Sequence, residues 1–181
     1  MAHFVALLRG VNVGASRRVP MAELRALLAA LGYTGVQTLL NSGNAVFASP
    51  GRSTTTHAAR VQTAIAETLG VEVPVIVKSA TEIAAIESGN TLASIAIDPS
   101  RLLVAFTRTA TDLQGLAALA QLLNPPERLH VGEHAAYLWC ANGILQSKAG
   151  AALLGRPGRA ATTRNWATLL KLSGILRQNA A

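Results

Sequence analysis

A chain of 181 residues, half of them apolar, can build one large domain or two small ones. No apolar run approaches the ~18 residues of a membrane span. The start Met1-Ala2-His3-Phe4 has no basic segment of the signal-peptide kind, and the lone Cys140 excludes an internal disulfide. A net charge of +7 and a pI near 10.8 favour nucleic acid, anionic lipid or phosphorylated ligands as partners.

In chain order, residues 3–9 form a strand that is apolar on both faces, as suits a central strand. The loop 10–19 carries Gly10, Asn12 and Gly14. Pro20 then opens a helix with Met21, Leu24, Leu28 and Leu31 on one face, and Gly32 stops it. Strands at 36–40 and 45–49 flank Asn41-Ser42-Gly43-Asn44, a hairpin signal. A second helix covers 55–69, with Ala58, Val61, Ile65 and Leu69 along one side. A fourth strand follows at 73–78, and Pro74 suits it to a sheet edge. The order βαββαβ is the ferredoxin-like pattern, whose antiparallel sheet runs 4-1-3-2. In that topology the first loop and the hairpin turn share one edge.

Residues 81–100 connect the halves through a short helix at 80–88. The second half, 101–181, has strands at 102–107, 128–131 and 136–140 and helices at 113–123 and 146–154. That order, βαββα, repeats the start of the first half, and Arg108 echoes Arg9. Residues 155–161 are expected to be a basic loop. Thr162 or Thr163 is expected to cap a last helix with Trp166, Leu169, Leu170 and Ser173 on one side and Arg164, Thr168 and Lys171 opposite. The expected fold class is α+β: a ferredoxin-like domain at 1–80 and a second α+β domain at 101–181.

The acids are scattered, so paired carboxylates for hydrolysis are not visible. Of the histidines His3, His57, His130 and His134, only His130-x-x-x-His134 has a ligand-like spacing, and Gly132 breaks it. The expectation is a cytoplasmic protein without metal, cofactor or membrane span. Arg9 beside exposed glycine N–H groups has the makings of an anion site, although Gly-Lys-Ser/Thr and Gly-x-Gly-x-x-Gly are both absent. Asn41, Ser42 and Asn44 bring more amide and hydroxyl groups than a turn needs. Residues 146–181 carry Lys148, Arg156, Arg159, Arg164, Lys171 and Arg177 and no acid. Phe4 and Phe47 lie on the strands where an RNA-recognition sheet keeps its stacking rings, although core positions suit both better.

Five stretches together resemble the domain-of-unknown-function 1697 family of bacterial proteins. They are Leu7-Leu8-Arg9-Gly10-Val11-Asn12-Val13-Gly14, Met21-Ala22-Glu23-Leu24, Asn41-Ser42-Gly43-Asn44-Ala45-Val46-Phe47, Ser147-Lys148 and Thr163-Arg164-Asn165-Trp166. The resemblance implies an α+β fold with a ferredoxin-like first half, and a site drawn from Arg9, Gly10, Asn12, Gly14, Asn41, Ser42, Gly43, Asn44, Lys148, Arg164 and Asn165. Members commonly read Gly-Gly-Lys-Asn where this chain has Gly14-Ala15-Ser16-Arg17, so Arg17 or Arg18 stands in for that lysine's charge. The asparagine usual after the tryptophan is Ala167 here. Three functions are in view. The first is a binding module for an anion, nucleic acid or a phosphate-bearing molecule. The second is an enzyme acting on a phosphorylated or carboxylated small molecule, and the third is a structural, partner-binding protein.

Overall fold

The computed structural model describes residues 1–180 and is a mixed α+β structure with two four-stranded antiparallel sheets. The chain divides into two units, Met1–Thr81 with the residues from Leu172 onward, and Glu82–Lys171. The connecting stretch 81–100 thus falls almost wholly in the second unit, and the later part of the last helix groups with the first.

In the first unit the elements are β1 (Ala2–Leu8), α1 (Met21–Ala30), β2 (Thr34–Leu39), β3 (Asn44–Ser49), α2 (Thr54–Leu69) and β4 (Val75–Ser79). The sheet order is β2-β3-β1-β4, the ferredoxin-like arrangement. β1 is interior, and β4, entered from Pro74, is an edge strand. The period-2 alternation of β1 sends Phe4, Ala6 and Leu8 to the helices, where they join Phe47, Leu24, Leu28, Val61 and Ile65 in the core. Val5, Leu7, Val46 and Ile76, of opposite parity, are buried as well. Phe4 and Phe47 stack 5.5 Å apart inside the core, so neither ring lies on an open sheet face.

Local chemistry ends the helices where composition said it should. At the end of α1, Tyr33 N–H donates to Leu28 C=O and Gly32 N–H to Ala29 C=O, with Gly32 at φ 84°. This paired closure needs a left-handed residue, which glycine supplies without Cβ strain. Ser53 caps α2 by accepting from Thr56 N–H (3.1 Å).

The second unit begins within α3 (Ala80–Ser88) and holds β5 (Leu102–Thr107), α4 (Ala110–Gly115) and a 3-10 turn at Leu116–Leu122. β6 (Arg128–Val131), β7 (Ala136–Trp139), α5 (Lys148–Leu154) and β8 (Ala161–Asn165) follow, and α6 (Trp166–Ala180) starts in this unit and passes into the first at Leu172. Its sheet order, β6-β7-β5-β8, repeats that of the first unit. The half therefore goes one strand beyond the expected βαββα. β8 pairs with β5, Val104 opposite Arg164 and Phe106 opposite Thr162. Thr162 and Thr163 are strand residues and not caps. Asn165 caps α6, its Oδ1 accepting from Thr168 N–H (2.9 Å). Arg164, expected on a wet helix face, is a buried strand residue, and Thr168 is buried while Leu170 is exposed. The core under this sheet joins Leu103, Ala105, Leu138 and Ala161 to Leu113, Leu116, Leu119 and Leu153.

Candidate functional site

One edge of the first sheet gathers the loop after β1 and the turn between β2 and β3. Leu8 N–H donates to Gly43 C=O (2.9 Å), and Arg9 N–H to Pro74 C=O (3.0 Å). Asn12 ties the loop to itself and to the hairpin. Its Nδ2 donates to the carbonyls of Val19 (2.9 Å) and Asn41 (2.7 Å), and its Oδ1 accepts from Val19 N–H (2.9 Å). Asn44, fully buried, donates to Leu39 C=O (2.8 Å) and Ser42 Oγ (2.9 Å). These two amides are thus committed to holding the edge together. Gly43 has φ 84°, and a Cβ there would lie 2.6 Å from Leu8 Cβ and 2.8 Å from Val11 Cγ2. No other residue fits, because the hairpin lies directly on the loop.

The loop is wound through left-handed backbone at Gly10, Asn12, Gly14 and Arg17, and Leu40 in the facing turn has φ 58°. Such conformations are uncommon for non-glycine residues and collect at functional sites. The winding folds Arg17 back over Gly10, and a Cβ on Gly10 would meet Arg17 Nη1 at 3.5 Å. Partial burial, and after it the charge of Arg17, holds the Arg9 guanidinium below its ordinary value. Arg18 lies beyond, in an open cleft of about 290 Å³ lined by Asn12, Gly14, Arg18, Pro20, Met21 and Asn41. Glu23 is the only acid between residues 9 and 44. Arg9, Arg17 and Arg18 thus put three guanidiniums on one short loop, with Arg9 and Arg17 within reach of each other's charge.

Of the expected site residues, Arg9, Gly10, Asn12, Gly14, Asn41, Ser42, Gly43 and Asn44 lie in this loop and turn. Lys148, Arg164 and Asn165 belong to the second unit. There Lys148 is the exposed first residue of α5, capped by Ser147, whose Oγ accepts from Gly150 N–H (2.9 Å). Arg164 is 9% exposed, and its Nη1 donates to Thr163 C=O (2.7 Å). Burial pushes its pKa down to about 10, so it stays charged at neutral pH. Asn165 is the α6 cap. Burial raises the Cys140 thiol, which lies in the core of that unit and is inert packing.

Arg17 and Arg18 lie on the same loop, outside the residues that the resemblance picks out. The signal was present as an Arg-Arg pair inside a nearly acid-free stretch. His57, which showed no ligand spacing, sits among Phe4, Tyr33 and Phe47. Its Nε2 lies 3.0 Å from Gly51 C=O and its Nδ1 2.8 Å from Tyr33 Oη. A carbonyl only accepts, so in the neutral ring Nε2–H donates to Gly51 C=O and Nδ1 accepts a hydrogen bond from the Tyr33 hydroxyl. Among the described residues no group of three or more His, Cys, Asp or Glu side chains could hold a metal ion, and no helix is long and apolar enough to cross a membrane.

A family model described as "Protein of unknown function (DUF1697)" matches residues 1–137. Among solved structures the chain is similar to the conserved bacterial protein SP0830 from Streptococcus pneumoniae. The TM-score is 0.79 at 28% identity, covering 97% of this chain and 98% of that one. No curated protein matches it.

Proposed function

We propose that this chain, which belongs to the DUF1697 family of proteins of unknown function, is a binding module for a phosphate-bearing anion held at the loop-and-hairpin edge of its first unit. One contrast within the molecule carries the reading. The two units have the same strand order, yet β5 reaches α4 through Arg108 and Thr109 alone, whereas β1 reaches α1 through residues 9–20. The fold closes with the shorter connection, so the longer loop serves something other than closure. The charges of Arg9 and Arg17 on it oppose each other, and a bound oxyanion relieves that repulsion through charge-assisted hydrogen bonds.

The test is isothermal titration calorimetry with inorganic phosphate and pyrophosphate, on wild type and on Arg17→Ala with Arg18→Ala. Both substitutions are at exposed side chains, so folding is kept. The double variant is expected to bind about tenfold more weakly or worse, with pyrophosphate the tighter ligand in wild type. Equal binding by wild type and variant sinks the reading.

A further inference from the structure

Resting on that reading, we infer that the ligand is an amphipathic phosphomonoester, with its phosphate at Arg18 and an apolar body on the aliphatic side chains of the same cleft. Volume is the first observation. About 290 Å³ is at the small end of ligand sites. At ~30 Å³ per water, it admits roughly ten non-hydrogen atoms. A phosphate group takes about half of them, so a body of similar size accompanies it.

The lining gives that body its character. Pro20 and Met21 line the cleft together with Arg18, Asn12, Gly14 and Asn41. Two further aliphatic side chains flank it by chain adjacency. Val13, between lining residues Asn12 and Gly14, is 73% exposed, and Leu40, next to Asn41, is 51% exposed. Single exposed aliphatics are ordinary, but Leu40 is not. It holds a left-handed backbone at φ 58°, a strained conformation for a leucine, and it recovers little of that strain by burial. Asparagine or glycine would fill the turn without strain. A leucine held there and left wet is accounted for by something it covers when the cleft is filled. Every Phe, Tyr and Trp of the chain is buried, so the body meets aliphatic surface and not a stacking ring.

The experiment compares inorganic phosphate, phenyl phosphate, hexyl phosphate and adenosine monophosphate by calorimetry, on wild type and Leu40→Asn. Asparagine tolerates the left-handed backbone, so the turn is retained, and circular dichroism checks this. Wild type is expected to bind at least one organic phosphate tenfold or more tightly than inorganic phosphate, and Leu40→Asn to bring that ratio near one. The order among phenyl, hexyl and adenosine phosphates tells a flat body from a chain. If inorganic phosphate binds as tightly as all three, the inference fails while the anion site stands. If none of the four binds, the anion site fails with it. If the ratio survives Leu40→Asn, the apolar wall is not where the body rests, and the inference is overturned.

Discussion

Asn12 shows how a residue that looks like a ligand group becomes a structural one. Its amide uses both donors and its acceptor on Val19 and Asn41, so its place in the site is to hold the edge in shape. The loop's free chemistry passes to Arg17 and Arg18, whose side chains are exposed. Tyr137 is the residue-scale counterpart in the second unit. It is buried, its hydroxyl donates to Ile86 C=O (2.6 Å), and burial pushes its pKa up to about 12. An unfolded tyrosine ionises near pH 10. Above that pH the unfolded chain gives up a proton that the folded chain keeps. The stability is therefore fully present below pH 10 and is lost as pH rises toward 12, by on the order of 2 kcal/mol. Urea denaturation between pH 8 and 11.5 checks this. Tyr137→Phe is expected to cost about 1 kcal/mol at pH 7, by leaving Ile86 C=O unpaired, and to flatten the alkaline decline. A decline as steep in the variant as in wild type places its origin elsewhere.

Among the elements, β8 is the one that sequence patterning missed. Ala161-Thr162-Thr163-Arg164-Asn165 has no apolar alternation, and two threonines before an amphipathic run resemble a helix start. Pairing with β5 made it a strand, since an open edge beside an apolar central strand leaves ladder groups to be satisfied. The cap then moved to the next suitable side chain, Asn165. Asn165→Ala is accordingly expected to cost about 1 kcal/mol, with Asn165→Ser keeping most of the stability. Thermal unfolding followed at 222 nm measures both, and an Asn165→Ala midpoint equal to wild type counts against the cap. The loop 9–20 is the reverse case. Its two ends were visible as strand and helix, but its internal path depends on Gly43 lying close enough to Leu8 and Val11 to exclude any Cβ.

For the molecule as a whole, the charge of +7 and the burial of every aromatic ring set what a polymeric ligand can gain. Attraction to phosphates is available, and base stacking, worth ~1–3 kcal/mol per base, is not. Fluorescence anisotropy with labelled oligo-dT, oligo-dC and oligo-dA is expected to give affinities within about threefold of one another and falling steeply with salt. A strong preference for one base, surviving at high salt, contradicts this. The α+β class, the ferredoxin-like first half and its sheet order were all legible in the sequence. Period-2 and 3.6-residue patterns, with glycine and proline at the breaks, are local signals, and one topology satisfies their order. So was the meeting of the first loop with the hairpin, because parallel β1 and β2 end at the same edge of that topology. The tertiary structure alone decided which side chains remain available there. Asn12 and Asn44 are consumed by hydrogen bonds to Val19, Asn41, Leu39 and Ser42, and Arg164 is drawn into a buried strand. Arg17 is folded back beside Arg9 by left-handed turns. Residue type sets what a side chain can bond, but which partner it bonds depends on what the fold places within about 3 Å of it.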